Sequence, residues 1–356
     1  MDKTILTAID ANLNRAIEGL RVCEDIFRFS YRNIVSEEIK KLRHNITEVS
    51  RFIDRTELLA SRDIDADSQK FFDTSGEKRR EGTIDLFRAN IRRAAEALRV
   101  LEEFSKMIDP DISVKFQKIR FKIYDIEQQG EAIILKHSIL GKFKNSLYAI
   151  IDSAFVPLEQ IDLTTEILSD SGADIIQLRI KNINDSKFLE YATSFVKTCR
   201  ERGVVSIIND RVDIAILSKA DGVHLGPDDL PVSGINKIAG NSLIIGFSAG
   251  GINAAEDALI SDADYIAIGP VFQTSSKNGF NINGIGTDVL KEICSKIGKT
   301  VVAIGGINSE NVEEVLISGC SCIAVISELY KDGMISENTK KLKSLINQFT
   351  ELPVLK

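Results

Sequence analysis

Residues 263–277 read ADYIAIGPVFQTSSK. A short apolar run stops at Gly269-Pro270, and hydroxyls follow at Thr274, Ser275 and Ser276, then a cation at Lys277. A run of this length, bounded by Gly and Pro, predicts a strand buried on both faces, as in a parallel sheet. Polar groups collected just beyond its C-terminal end predict an exit loop that carries chemistry.

Seven further runs of the same kind flank it. They are SLYAIID (146–152), ADIIQLRI (173–180), VVSIIND (204–210), GVHLG (222–226), LIIGFSA (243–249), TVVAIGGI (300–307) and SCIAVIS (321–327). Helical patterns separate most of them, such as DLTTEILSDSG (162–172), SKFLEYATSFVKTCRERG (186–203) and DVLKEICSKIG (288–298). The interval after the fourth strand is short for a full helix. Eight βα units predict an α/β fold, a (β/α)8 TIM barrel over 146–350. An open doubly wound sheet is the competitor, but no GxGxxG follows the first strand.

Residues 1–135 differ: they show helical periodicity and no convincing strand, so an all-α N-terminal domain is expected, joined through 136–145. The domain carries an internal helical repeat. ANLNRAIEGLRVCE (11–24) matches ANIRRAAEALRVLE (89–102) at nine of fourteen positions. Helical spacing puts Asn12, Arg15, Ala16 and Gly19 on one face, and Asn90, Arg93, Ala94 and Ala97 on the other copy's. Small residues beside Asn and Arg predict two pseudo-symmetric helices packed face to face around a polar pocket. The competing reading is solvated Arg–Glu pairs.

A net charge of −7 disfavours nucleic acid as the main partner. No apolar stretch approaches the ~18–20 residues of a membrane span, and no leader pattern is visible, so a cytoplasmic protein is expected. Homo-oligomerisation stays open. The five cysteines form no CxxC and read as small buried hydrophobes, with Cys320 and Cys322 on one strand face. The histidines His44, His137 and His224 have no metal-ligand spacing.

In a barrel of this kind the active site lies where strands end. Strand 2 ends in Gln177, Arg179 and Lys181, alternating so that one face carries an amide and two cations. Inward charge without a ligand is costly, which favours an anion site. Strand 3 ends in Asn209 and Asp210, strand 4 supplies His224, and the loop after it supplies Asp228 and Asp229. Asp210 and Asp229 together suit Mg²⁺, which keeps waters and takes one or two carboxylates. Alternatively, Asp210 caps a helix and Asp229 sits in a turn. Strand 5 adds Ser248, strand 7 ends in Gly305-Gly306, and strand 8 in Ile326-Ser327. Paired glycines let backbone N–H groups approach a phosphate, although such a pair also makes a tight turn. The opening stretch then lies between two anions, with Lys277 a point charge for phosphate. Two phosphorylated substrates and one metal imply group transfer with departure of pyrophosphate.

The motifs QLRIK (177–181), NDR (209–211), DGVHLGPDDL (221–230), GFSA (246–249), GPVFQTSSK (269–277), AIGGI (303–307) and AVIS (324–327) resemble those of thiamine-phosphate synthase. The resemblance implies condensation of 4-amino-2-methyl-5-hydroxymethylpyrimidine diphosphate with thiazole phosphate. It implies that Gln177, Arg179, Lys181, Asn209, Ser248 and Lys277 hold the pyrimidine diphosphate, with Leu178, Ile180 and His224 beside it. It also implies that Asp210 and Asp229 bind Mg²⁺, and that Thr274 to Ser276, Gly306, Ile326 and Ser327 hold the thiazole phosphate. Ile180 departs from the family's acidic residue, Ser276 from its threonine, and Pro227-Asp228 from its Gln-Glu.

The N-terminal part resembles a helical domain fused to this synthase in some bacteria, associated with an alternative kinase for the pyrimidine monophosphate. Its candidate polar residues are Asn12, Arg15, Arg21, Glu24, Arg43, His44, Arg62, Asp63, Asn90, Arg93 and Arg99. No P-loop supports a kinase independently. A thiazole tautomerase-like paralogue and a non-catalytic thiamine-ligand sensor are the alternative readings.

Overall fold

The computed structural model describes residues 2–62, 79–239, 243–274 and 283–351. It divides into two compact units, Met1–Leu135 and Lys136–Lys356.

The described residues of the first unit form helices joined by short turns, with no strand among them: α1 (Lys3–Asp25), α2 (Val35–Ser50), α3 (Arg55–Ser61), α4 (Thr83–Ser105) and the start of α5 (Pro110–Gly141). A π-helical turn, Ile26–Tyr31, follows α1. The repeated segments lie in α1 and α4, and these helices pack together. A Cβ on Gly19 would stand 2.7 Å from the Asn90 carbonyl oxygen and 3.5 Å from the Ala94 Cβ. Cys23 Sγ meets the Phe87 carbonyl at 3.9 Å, so the helices run antiparallel. The apolar residues between them, among them Ile9, Leu20, Ile91 and Leu98, are fully buried.

The second unit is a closed barrel of eight parallel strands in chain order. The strands are β1 (Ser146–Asp152), β2 (Ile175–Arg179), β3 (Val205–Asn209), β4 (Gly222–Leu225), β5 (Ile244–Ala249), β6 (Tyr265–Ile268), β7 (Thr300–Ile304) and β8 (Cys322–Val325). Each apolar run expected to be a strand contains one; β1 spans its run in full, and the other strands are shorter than theirs. The intervening helices are α6 (Ile161–Asp170), α7 (Asp185–Glu201), α8 (Val212–Ser218), α9 (Val232–Ala239), α10 (Ile252–Ile260), α11 (Thr287–Lys296) and α12 (Val312–Ile317), with α13 (Ile335–Glu351) after β8. The interval after β4 holds only the two turns of α9, in keeping with its length. Residues 136–141 belong to α5, and Phe143 beyond it is fully buried against the rings of Tyr148 and Tyr265.

Strand alternation sorts side chains into two layers. Leu147, Ile151, Leu178 and Ile208 face the helices, whereas Tyr148, Ile150, Ile175, Val205, Ile207, Tyr265 and Val302 fill the interior. Cys320 and Cys322 do not share a face. The strand begins only at Cys322, which points inward, while Cys320 lies in the outer layer. Both are buried free thiols, and burial pushes the Cys322 thiol up to about 12.

Three aspartates just before even-numbered strands fasten the N-terminal rim. Asp174 accepts from Leu147 N, Asp221 from Ser206 N and Asp264 from Ile245 N, each at 2.8 Å.

Candidate active site

All strands being parallel, their C-terminal ends share one rim, and the polar strand-end residues gather there. Gln177 and Arg179 point inward from β2, beside Ile150 and Asp152 of β1. The Asp152 carboxylate, 2% exposed, accepts from Arg179 Nη1 at 2.5 Å. Asp152 is a candidate site residue that sequence reasoning missed. Its signal was its place in SLYAIID, on the inward parity of Tyr148 and Ile150.

Beyond the strand end, Lys181 Nζ donates to Asp210 Oδ2 at 2.5 Å. Asp210 occupies the left-handed region, φ 61°, which Asp tolerates better than most residues. The helix that follows is not capped by a side chain, so the reading of Asp210 as a cap is not what forms. Asp229 does sit in a turn, accepting from Gly226 N at 2.7 Å. Burial foremost, and then the adjoining Asp210 carboxylate, hold the Asp229 carboxyl above the usual carboxylate range, against the pull of the Gly226 N–H. Two acids crowded in this way suit a divalent cation. No group of three or more His, Cys, Asp or Glu is placed to hold a metal ion among the described residues. A donor pair made only of carboxylate oxygens fits Mg²⁺, which completes its shell with water and phosphate oxygens.

Below the rim, His224 Nε2 lies 2.9 Å from Ser248 Oγ and its Nδ1 lies 3.0 Å from Tyr265 Oη. Asn209 is in register with His224. Leu178 and Ile180 are buried in the outer layer, so only their backbone faces the mouth. The alternation that turns Gln177 and Arg179 inward turns these side chains away.

On the opposite side, the β6 exit loop runs against the paired glycines. Phe272 N donates to the Gly305 carbonyl at 3.0 Å. Gly305 and Gly306 have φ 100° and 69°, and a Cβ on Gly306 would strike Phe272 and Gln273. Glycine is needed here for close approach of two loops as much as for turning. Thr274 is half-buried at the end of this loop, and Ser327 is exposed at the end of β8 beside half-buried Ile326. Ser275, Ser276 and Lys277 lie outside the described residues.

The first unit distributes its candidates differently. Glu24, 2% exposed, is bound by Arg43 at 2.7 Å and by Arg21 at 3.5 Å. Glu102, the matching residue of the repeat, is bound by Arg120 and Arg99, each at 2.8 Å. The duplication thus includes a buried carboxylate clamped by an arginine of the following helix. Sequence reasoning missed Glu102 and Arg120, although Glu102 stands in the repeat. Asn12 and Asn90 donate to the Ala8 and Leu86 carbonyls, both at 2.8 Å. Arg62 grips Asp10 with two bonds of 2.6 and 3.0 Å. Arg15, Arg93 and His44 are exposed, and Asp63 lies outside the described residues.

Comparison with known proteins follows the same division. Residues 147–329 match the thiamine monophosphate synthase family, and residues 7–129 match the ThiD2 family. A thiamine-phosphate synthase of Prochlorococcus marinus (strain AS9601) is 36% identical, covering 96% of this chain and 93% of its own. That of Nostoc punctiforme is 31% identical, covering 98% and 96%. A solved thiamine phosphate pyrophosphorylase from Pyrococcus furiosus is 35% identical and superimposes with a TM-score of 0.53, over 58% of this chain and 98% of that one.

Proposed function

The chain belongs to the thiamine monophosphate synthase family and is a transferase of thiamine biosynthesis; from this we propose how the rim of its barrel carries the reaction. The substrates are 4-amino-2-methyl-5-hydroxymethylpyrimidine diphosphate and thiazole phosphate, and the products are thiamine phosphate and pyrophosphate. The adjoining Asp210 and Asp229, with Lys181 on the first and Arg179 at the next strand end, carry this reading.

The pyrimidine CH₂–O bond breaks, its electron pair leaving with pyrophosphate. Arg179, Lys181 and Lys277 bind the departing oxygens, where charge grows in the transition state. Mg²⁺, held by Asp210 and Asp229, would add Lewis-acid neutralisation of the same oxygens. The aminopyrimidine ring spreads the positive charge left on the methylene carbon. The thiazole nitrogen then supplies the pair that forms the new C–N bond. No protein nucleophile is required, so holding the two substrates in line is the chain's main contribution. Gly306, Thr274 to Ser276, Ile326 and Ser327 seat the thiazole phosphate. Asp152 holds the Arg179 guanidinium from behind.

The N-terminal unit is read as phosphorylating the pyrimidine monophosphate, which would supply the diphosphate that the barrel consumes. Its match to the ThiD2 family supports that reading.

Pyrophosphate release with both substrates tests the barrel assignment. Release should require both substrates and Mg²⁺, and Lys181→Ala should lower kcat/KM by about 10²-fold. A folded Lys181→Ala protein with unchanged turnover would refute the assignment of that lysine.

A further inference from the structure

Five side chains from five strands form one hydrogen-bonded chain across the barrel interior. Gln177 Nε2 meets Tyr148 Oη at 2.9 Å, and Tyr148 Oη meets Tyr265 Oη at 3.0 Å. Tyr265 Oη meets His224 Nδ1 at 3.0 Å, and His224 Nε2 meets Ser248 Oγ at 2.9 Å. Gln177, His224 and Ser248 are residues that the family resemblance places at the pyrimidine. The two tyrosines are fully enclosed beneath it and take no part in bond breaking. We infer that Tyr148 and Tyr265 act as positioning residues: they fix which way Gln177, His224 and Ser248 donate and accept hydrogen bonds, and so make the pocket specific for an aminopyrimidine edge. The inference rests on the barrel reading for the identity of the ligand.

Burial pushes both tyrosine hydroxyls well above their ordinary pKa. Each stays neutral and has one hydrogen to give, so the chain is directional. Two orders are self-consistent. In one, the Gln177 amide N–H donates to Tyr148, Tyr148 to Tyr265, and Tyr265 to His224 Nδ1. His224 then carries its proton on Nε2 and donates to Ser248. This order leaves the Gln177 carbonyl oxygen and the Ser248 hydroxyl hydrogen for the ligand, one acceptor and one donor. The reverse order presents the Gln177 NH₂ instead.

An aminopyrimidine edge offers an amino N–H and, beside it, a ring nitrogen lone pair, which the first order complements. The chemistry favours the same order. As the C–O bond breaks, positive charge spreads to the amino group and strengthens its N–H as a donor. A carbonyl oxygen facing it gains in the transition state, whereas an amide NH₂ would oppose it.

The backbone is shaped for this chain. Gly246 of β5 pairs in register with Tyr265, and a Cβ there would lie 2.0 Å from Tyr265 Cζ and 2.3 Å from its Oη. The ring therefore lies across a glycine, where it stacks on His224 at 5.6 Å with planes 22° apart. A strand interior is a poor place for glycine on propensity alone, and close approach of another group is the usual reason for one.

The chain has three histidines, so nitrogen-15 spectra of the histidine-labelled full-length protein can resolve each imidazole, with His224→Gln giving the assignment. The expected result is a neutral His224 with its proton on Nε2 and a bare Nδ1, in a single tautomer. A proton on Nδ1, or rapid averaging between tautomers, would overturn the inference. Tyr265→Phe should let the tautomers mix and raise KM for the pyrimidine diphosphate about tenfold, with KM for thiazole phosphate unchanged. A folded Tyr265→Phe protein with both KM values and the tautomer unaltered would overturn it as well. Should that variant not fold, the wild-type spectrum alone decides. Failure of the barrel reading would appear separately, as absence of pyrophosphate release from a protein whose His224 tautomer is the expected one.

Discussion

Asp210 and Asp152 show how single side chains aim the rim. Asp210 leaves β3 in a left-handed conformation and takes Lys181 as its partner. Asp210→Asn keeps the side chain's shape and this backbone preference but halves the charge offered to a cation. It should leave the melting temperature nearly unchanged, lower kcat/KM by about 10²–10³-fold, and raise the Mg²⁺ concentration needed for half-maximal pyrophosphate release. Asp152→Asn removes the buried counter-charge that holds Arg179. Guanidinium misplacement alone should cost about 10²-fold in kcat/KM, measured with the thiazole phosphate KM as an internal control that stays constant. The alternation Gln177, Arg179, Lys181 could be read from the chain because one apolar residue separates each pair. Asp152 was passed over despite its inward parity, since a terminal aspartate on a strand also looks like the start of a turn. Tyr148 and Tyr265 were hidden because a tyrosine in an apolar run passes for packing until its hydroxyl partner on a distant strand is known.

Among elements, the barrel's two rims divide their tasks, as expected for this fold. The aspartates at the N-terminal rim receive strand amides and stand far along the strands from the substrates. Asp221→Ala would orphan Ser206 N, costing about 1.5–3 kcal/mol, seen as a lower urea midpoint with both KM values unchanged. Asp264 is also paired with Lys136 at 2.8 Å. Burial, the leading cause, raises its carboxyl above the usual range, with Lys136 pulling it back. Lys136→Met should therefore destabilise the fold by about 3 kcal/mol near neutral pH. The Asp264 carboxyl titrates higher folded than unfolded, so its stability contribution is fully present below the unfolded value and is lost as pH rises through the folded one. The deficit of the variant should accordingly shrink on acidification, because a proton replaces the lysine. A deficit that grows towards acid in denaturant titrations would contradict this. Gly19→Ala in α1 drives a Cβ to within 2.7 Å of the Asn90 carbonyl, so overpacking should outweigh the gain in helix propensity and cost about 1–3 kcal/mol. The strands and the face-to-face pairing of α1 with α4 follow from period and repeat, whereas the antiparallel direction of that pair does not. The Glu24–Arg43 and Glu102–Arg120 clamps do not, because the arginines lie in helices whose packing the repeat alone does not specify.

For the molecule as a whole, two differently patterned halves correspond to two compact units and two family matches. Full-length relatives carry both halves, and the chemistry of a kinase followed by a diphosphate-consuming transferase is sequential. Incubated with ATP, Mg²⁺, pyrimidine monophosphate and thiazole phosphate, the full chain should form thiamine phosphate with no diphosphate added. Accumulation of unchanged monophosphate would assign the N-terminal unit a different role. The central claim, that one rim of the barrel joins the two substrates, is tested most directly by phosphorus-31 spectra of the full chain supplied with pyrimidine diphosphate, thiazole phosphate and Mg²⁺. Thiamine phosphate and pyrophosphate should rise in equal amounts, and neither should form with Lys181→Ala at the wild-type rate. Pyrophosphate without thiamine phosphate, or undiminished condensation by the folded variant, would contradict it.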